Sequence, residues 1–213
     1  MNYQSLTALV GGMACFDLPL VAQAFPERRP AVLLQLSRWA TQGKVIPLRR
    51  GMYTLADRAR QFPLDPALLA QQLCRPSYLS GLWALGFHDM IPERVVVYTS
   101  VTSRLPARFH NACGTFAYQH IKPPCFFGYE QVSYGRGSIL VARPEKALLD
   151  HWHLSRGEWT AERLAEMRYQ NMAAVDSRRL EEYAARFQRP RLDRAVTRWK
   201  QLAAEDDAGE RIL

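Results

Sequence analysis

Eight cationic or amide side chains between positions 28 and 50 have the chemistry to contact DNA. Arginine can donate two hydrogen bonds to one guanine edge, glutamine can pair in the same way with adenine, and arginine and lysine also bind phosphate oxygens. The eight are Arg28, Arg29, Gln35, Arg38, Gln42, Lys44, Arg49 and Arg50. Any single one is as easily explained as a side chain on a solvated surface, so the interpretation depends on their grouping.

A helix must position the first five of these side chains. Apolar residues recur at i, i+3, i+4 and i+7, the spacing of one buried helical face, at Val32, Leu33, Leu36, Trp39 and Ala40. Pro30 suits a first helical turn and Gly43 a helix stop, which predicts a helix over residues 30–42. We expect its opposite side to carry Gln35, Arg38 and Gln42.

A hairpin must position the remaining arginines. Two short apolar strands, 45–48 and 52–55, flank Arg49-Arg50-Gly51, where the glycine can adopt the positive φ of a tight turn. Arg49 and Arg50 at the tip of the hairpin suit contact with phosphate or the minor groove.

Two further helices precede this segment in the sequence. The patterns predict them over residues 3–10 and 16–25, with Asp17 as an N-cap. Three helices and a terminal hairpin predict a winged helix-turn-helix domain over residues 1–60, whose last helix enters the major groove of double-stranded DNA. The same fold also serves for docking to proteins, and that alternative stays open.

The positive charge is concentrated in the same region. The chain has a formal net charge of +8, and residues 1–60 hold eight Lys and Arg against three Asp and Glu, so they contribute +5. Residues 61–155 contribute +2 and residues 156–213 contribute +1. This asymmetry favours a polyanionic partner, with nucleic acid the leading case.

The rest of the chain, residues 61–213, predicts a second domain. A polar linker with two prolines, residues 57–66, leads to predicted helices within residues 66–90. After them the spacing of the apolar residues changes from that of helices to that of strands. Strands are predicted at 95–101, 115–121, 125–127, 131–134 and 138–141. Helices are then predicted over 143–204, the last three at 160–169, 177–187 and 192–204, and an acidic, frayed tail over 205–213. The fold class is therefore α+β: a winged helix-turn-helix, then a largely antiparallel sheet of four or five strands, within 94–142, with several C-terminal helices.

Composition argues against several other classes of protein. The four cysteines, Cys15, Cys74, Cys113 and Cys125, lack C-x-x-C spacing, which speaks against a zinc ribbon or a disulfide framework. We expect no metal and no cofactor. The apolar runs are too short to span a bilayer and the N-terminus lacks the pattern of a secretion signal, so we expect a cytoplasmic protein.

One group of residues invites comparison with a nuclease. Glu145, Lys146 and Asp150 follow a predicted strand, but Glu145 and Lys146 are adjacent at a helix start, whereas a shared strand face needs alternate residues. The helix dipole accounts for Glu145, and Lys146 and Asp150 form an i, i+4 pair. We expect no catalysis, with a nuclease or nucleotidyl-transfer enzyme as the alternative.

Five blocks in order resemble the AbiEi family of bacterial antitoxins, which includes transcriptional regulators of type IV toxin–antitoxin systems. They run from Lys44 to Asp150 and read GKVIPLRRGMYTL, PSYLSGLWALGFHDMIPE, VYTSVTSR, GTFAYQHI with FFG, and ARPEKALLD. The second and the last block are the most specific.

The resemblance implies a two-part repressor and antitoxin without enzymatic activity. Its N-terminal winged helix would bind repeats in the promoter of its own operon, with the protein on the DNA as a monomer or as a dimer. Its C-terminal domain would counter a nucleotidyltransferase-like toxin encoded by the neighbouring gene. The blocks Tyr78 to Leu85 and Pro144 to Asp150 would then be structural signatures of the second domain. The operator sequence and the manner of opposing the toxin, direct or indirect, stay open.

Overall fold

The computed structural model describes the backbone of residues 1–210 and the side chains of residues 1–206. It has an α+β architecture with two hydrophobic cores. A three-stranded sheet belongs to the first core and a six-stranded sheet to the second.

The N-terminal unit consists of three helices and three short strands. In chain order these are α1 (Tyr3–Val10), β1 (Phe16–Asp17), α2 (Leu18–Ala24), α3 (Arg29–Thr41), β2 (Val45–Arg49) and β3 (Met52–Leu55). The strands form an antiparallel sheet in the order β1-β3-β2. Asp17 caps α2, as predicted, because its Oδ1 accepts from the backbone N–H of Leu20 at 3.0 Å.

Two details of this unit differ from the sequence prediction. The second helix begins at Leu18 instead of residue 16, since Phe16 and Asp17 are extended and pair with β3. On α3 the buried stripe is narrower than expected: Val32, Leu36 and Trp39 are buried, whereas Leu33 is 40% exposed. The packing partners α1 and α2 cover only one side of α3, which leaves its flank open.

The hairpin joins the N-terminal unit to the rest of the molecule. A bulge between Pro47 and Arg49 interrupts the β2–β3 pairing, and β2 is an edge strand, where proline is tolerated. The buried side chain of Leu48 belongs to the second core instead of the first. Its carbonyl oxygen accepts from Asn111 Nδ2 at 3.0 Å.

The second unit follows the polar join and contains the larger sheet. Its strands are β4 (Ser77–Leu79), β5 (Val97–Thr102), β6 (Ala107–Asn111), β7 (Gly114–His120), β8 (Tyr129–Tyr134) and β9 (Gly137–Ala142). Its helices are α4 (Pro66–Leu73), α5 (Gly81–Phe87), α6 (Pro144–Leu154), α7 (Ala161–Glu166), α8 (Ser177–Phe187) and α9 (Pro190–Glu210). The predicted tail is helical as far as residue 210, and residues 211–213 lie outside the described residues.

The sheet is larger than predicted, and three of its five strand pairs are antiparallel. It has six strands in the order β6-β7-β5-β4-β9-β8, and the pairs β4–β9 and β5–β7 are parallel, so it is mixed. The predictions missed β4 and β6. Residues 125–127, predicted as a strand, are instead the last residue of the 3-10 turn Pro123–Cys125 and two residues of irregular structure. All three residues of β4 are buried, so no alternation of apolar and polar residues marks it as a strand.

Helices cover both faces of the central strands. On one face lies α4, where Tyr118 Oη donates to the carbonyl oxygen of Ala70 at 2.5 Å. On the other lie α5 and α6, where Tyr78 Oη donates to Asp150 Oδ2 at 2.9 Å. Gly81, at φ +59°, turns the chain from β4 into α5, so Ser80 and Gly81 lie at a helix start instead of inside a helix.

Candidate nucleic-acid interface

The start of α3 carries two exposed arginines. Arg28 is the N-cap residue in an extended conformation and Arg29 is the first helical residue, and Arg28 makes no side-chain capping bond. The neighbouring Glu27 is paired with the amino terminus of Met1. Among the described residues no carboxylate forms an ion pair with either guanidinium, so both are available to a ligand.

The solvent-facing side of α3 differs from the expected one. Successive helical residues are about 100° apart around the axis, so the centre of the exposed side lies at Leu34 and Thr41. Arg38 lies about 50° to one side of that centre and is exposed, whereas Gln35 lies nearer the core and is half-buried. Leu34 is 55% exposed, so an apolar side chain lies next to Arg38 on this surface.

The far end of α3 carries the second polar group. Gln42 is the C-cap residue and is exposed, and Lys44 is exposed just before β2. The Lys44 Nζ lies 5.4 Å from the centre of the Tyr3 ring, whose hydroxyl donates to the Lys44 carbonyl oxygen at 3.1 Å. Because α3 has 13 residues, this group lies about 20 Å from Arg28 and Arg29.

The tip of the hairpin is fixed in place. Gly51 has the predicted positive φ, +73°, and its carbonyl oxygen accepts from the backbone N–H of Leu18 at 3.0 Å. Arg49, the last residue of β2, and Arg50, in the turn itself, are both exposed. With Leu48 buried in the second core, the tip lies against the second unit and does not project freely.

Arg49 meets two arginines that the sequence prediction missed. Arg49, Arg75 from the end of α4 and Arg104 from the loop after β5 line one cavity of about 440 Å³ between the two units. Asp17 also lines it, and its Oδ1 is engaged as the cap of α2. Three guanidinium groups therefore face one carboxylate, and within the described residues none of the three forms an ion pair. No local sequence pattern marks Arg75 or Arg104, because only the folded chain brings them to the hairpin.

A thiol at the edge of this cavity is unreactive at neutral pH. Burial raises the pKa of Cys15 to about 11, against the opposing influence of the Arg75 and Arg49 charges. The group is therefore a neutral thiol at pH 7, and the cavity has the character of an anion-binding surface instead of a nucleophilic site.

The three residues considered as a nuclease-like group are buried in a structural network. Lys146 Nζ donates to Asp150 Oδ1, and Asp150 Oδ2 accepts from Tyr78 Oη at 2.9 Å and from Ser80 Oγ at 2.7 Å. Glu145 Oε1 accepts from the backbone N–H of Asp176 at 2.9 Å. Glu145, Lys146 and Asp150 are each 0% exposed.

Aromatic rings enclose the ammonium group of Lys146. Its Nζ lies 4.8 Å from the ring centre of Phe187, 5.1 Å from that of Phe127 and 5.6 Å from that of Tyr78. Burial lowers the pKa of Lys146, while the Asp150 charge raises it in part. The network joins β4 to the first turns of α6.

Other kinds of site find little support in the structure. The four cysteines are free, and within the described residues no cluster of His, Cys, Asp and Glu has the arrangement of a metal site. Over the same residues, no helix is both long enough and apolar enough to cross a membrane. Comparison with protein-family models gave no match, and comparison with curated proteins gave none either.

Proposed function

We propose that residues 1–60 form a winged helix-turn-helix that binds double-stranded DNA. The order of elements supports this, because α1, β1, α2 and α3 are followed by the β2–β3 hairpin, and the strands pair in the order β1-β3-β2. In this fold the third helix enters the major groove and the hairpin contacts the backbone or the minor groove. The helix α3 is then the reading element, with Arg38 on its exposed side.

One observation carries the proposal: except for Arg60, which is paired with Asp57, the cationic side chains of residues 1–60 lie at the surface without acidic partners in the described part of the chain. Arg28, Arg29, Arg38, Lys44, Arg49 and Arg50 are all exposed, and none forms an ion pair within the described residues. Unpaired surface charge costs little in water and supplies the counterion release that drives binding to DNA. Arg75 and Arg104 extend the same charge beyond Arg49 onto the second unit.

On this basis we propose that the chain is a cytoplasmic repressor and antitoxin of a type IV toxin–antitoxin system, without enzymatic activity of its own. The resemblance of the blocks between Lys44 and Asp150 supports it, as does the placement of the two most specific blocks. They pack on each other through Tyr78, Ser80 and Asp150 and so form the centre of the second unit. The proposed partners are its own promoter and a nucleotidyltransferase-like toxin.

Gel shifts with the region upstream of its own operon test the DNA proposal. The double variant Arg49→Ala, Arg50→Ala should bind every sequence more weakly, because phosphate contacts do not depend on sequence. Arg38→Ala and Gln35→Ala should instead reduce the preference for the upstream region over unrelated DNA. Arg136→Ala, an exposed arginine in the β8–β9 turn, is the matched control and should change nothing. Absence of binding at low salt would remove the proposal.

Growth assays test the antitoxin proposal separately. Expression of the neighbouring nucleotidyltransferase-like reading frame alone should stop growth, and co-expression of this chain from an unrelated promoter should restore it. Use of an unrelated promoter separates antitoxin action from repression. Continued arrest on co-expression of a folded chain would refute the antitoxin assignment without touching DNA binding.

A second candidate function is docking of α3 to another protein. It is favoured by Leu33 and Leu34, which are 40% and 55% exposed on the proposed reading helix. Apolar contact with thymine methyl groups would also use such residues. The variant Leu34→Ser distinguishes base contact from protein docking. A loss of DNA affinity only on thymine-containing sites supports contact with thymine methyl groups. Unchanged DNA binding together with loss of a protein partner supports docking.

Catalysis by Glu145, Lys146 and Asp150 gains no support from their environment. A catalytic group must reach its substrate, and these side chains are fully buried and bonded to their neighbours. Incubation with DNA, RNA and nucleotides in the presence of Mg²⁺ tests the alternative, and product that disappears in Glu145→Gln would revive it.

A further inference from the structure

A second cavity lies on the side of the sheet that carries α6. It has a volume of about 810 Å³ and lies between the strands β6, β7 and β5, which form one half of the sheet, and the C-terminal end of α6. A volume of this size falls within the range of pockets that bind small molecules.

The floor of the cavity is made of small and apolar side chains. Ala117 on β7 pairs with Thr99 on β5 and with Arg108 on β6, so the three residues lie side by side across the sheet. Ala117 and Thr99 have short side chains and form the floor, whereas Arg108 lies at its edge. Val97 on β5 and Leu154 on α6 complete the floor.

The polar group of Thr99 is not available to a ligand. Its Oγ1 donates to the carbonyl oxygen of Ser80 at 2.6 Å and accepts from the backbone N–H of Trp83 at 3.2 Å. The floor therefore behaves as an apolar surface although it contains a threonine. A ligand that covers it must gain its affinity there from apolar contact.

The rim of the cavity is cationic. Arg94 and Arg108 are exposed, and neither forms an ion pair within the described residues. The one carboxylate at the rim, Glu93, is paired with Arg168. Two unpaired guanidinium groups beside an apolar floor are complementary to a molecule with an anionic head and an apolar body.

His151 adds a neutral polar group to the wall. Its ring packs against Trp159 at 5.1 Å between ring centres. Burial, with a smaller effect of the Arg163 charge, lowers the pKa of His151 to about 4. The imidazole is thus neutral at pH 7 and offers one donor and one acceptor.

We propose that this cavity is a binding site for a small amphipathic anion, a carboxylate or sulfonate with an apolar body, whose head lies at Arg108 and Arg94 and whose body covers Val97 and Ala117. The site lies on the second unit only and does not depend on whether the N-terminal unit binds DNA. It uses no residue of the buried network around Lys146.

Titration of the full chain with anilinonaphthalene sulfonate tests the proposal, since this probe is an apolar anion whose fluorescence rises on burial. We expect one saturable site per chain, displaced by decanoate and not by decanol. Arg108→Gln should weaken binding about tenfold or more, because it removes a charge-assisted hydrogen bond. Neutral anilinonaphthalene should bind more weakly than the sulfonate and be insensitive to Arg108→Gln.

Ala117→Phe should abolish binding of the probe, because the larger ring fills the middle of the floor. Arg136→Gln, in the exposed β8–β9 turn, is the matched control for loss of positive charge and should leave the affinity unchanged. If Ala117→Phe fails to fold, Val97→Phe fills the same floor from β5. Unchanged binding in a folded filling variant, or equal losses in Arg108→Gln and Arg136→Gln, would overturn the proposal.

Discussion

Replacement of Asp150 by asparagine should destabilise the protein strongly, because it leaves a buried ammonium group without its counterion. Lys146 and Asp150 are both 0% exposed and form an ion pair. Asparagine retains an acceptor for Tyr78 Oη and Ser80 Oγ, so the variant removes the charge and keeps most of the hydrogen bonds. Loss of one partner of a buried pair costs about 3–5 kcal/mol of unfolding free energy.

The loss has an upper bound set by deprotonation of Lys146. An unfolded lysine has a pKa near 10.4, so holding it neutral at pH 7 costs about 4.6 kcal/mol, and the variant cannot lose more through this charge. The three aromatic rings around Nζ favour the cation and reduce the loss. We therefore expect a loss of about 3–4.6 kcal/mol, equivalent to a fall of roughly 6–18 °C in melting temperature for a chain of this length.

The sign of the pH dependence provides the sharper test. Burial lowers the pKa of Lys146 in the folded state and the Asp150 charge opposes that shift, so the folded-state pKa falls further in Asp150→Asn than in the wild type. Between those two folded-state values the folded variant binds fewer protons than the folded wild type. The stability of Asp150→Asn relative to the wild type should therefore rise with pH, by up to about 1.4 kcal/mol per pH unit. Urea unfolding at pH 7 and pH 9 measures it. A loss below about 1 kcal/mol, or no recovery at pH 9, would refute the structural role of this pair.

Three further predictions concern the first core, the acid limb of stability and the cationic cavity. Trp39→Ala removes a buried ring from the first core and should lower the free energy of unfolding by about 3–5 kcal/mol, as measured by urea unfolding. Leu34→Ala, on the exposed side of α3, should lower it by under about 0.5 kcal/mol. Similar losses in the two variants would contradict the assigned faces of α3. The pKa of His151 is about 4 in the folded chain and near 6.5 in the unfolded chain, so this residue lowers the free energy of unfolding by up to about 3 kcal/mol as the pH falls from 6.5 to 4. The variant His151→Gln should therefore lose less stability than the wild type over that range. Equal pH dependence of the unfolding free energy in the two proteins would contradict this. Arg75→Ala and Arg104→Ala should each reduce the slope of log affinity for DNA against log salt by about one charge, whereas the control Arg136→Ala should not change it. An unchanged slope in both Arg75→Ala and Arg104→Ala would exclude the cationic cavity from the proposed DNA surface.

Local signals predicted several elements well because they depend on neighbouring residues alone. Asp17 was predicted as a helix cap, and in the structure it accepts from the backbone N–H of Leu20, three residues later. Gly51 was predicted to turn the hairpin with positive φ. The two strands of that hairpin lie within a residue of their predicted ends.

Two strands, β4 inside the sheet and β6 at its edge, were harder to predict because tertiary packing decides them. β4 is buried on both faces and runs directly into α5, so Tyr78 and Leu79 gave a spacing typical of a helix. β6 is a short edge strand that contains Arg108, His110 and Asn111, and so lacks a strong apolar pattern.

The candidate interface was predictable only in part. The residues of α3 and the hairpin follow from periodicity, but Leu33 was expected in the core and is partly exposed, since neither α1 nor α2 covers that flank. Arg75 and Arg104 reach Arg49 only through the packing of Leu48 into the second core. Contacts between units depend on the whole fold and leave no local pattern in the sequence.

The salt dependence of DNA binding decides whether residues 1–60 bind DNA through their exposed arginines. Fluorescence anisotropy would measure the Kd of the full chain for its upstream region over a range of salt concentrations, in parallel for the wild type and for Arg49→Ala, Arg50→Ala. We expect a steep linear fall of log affinity with log salt in the wild type and a slope smaller by about two charges in the variant. Binding that is absent at low salt, or equal slopes in the two proteins, would contradict this expectation.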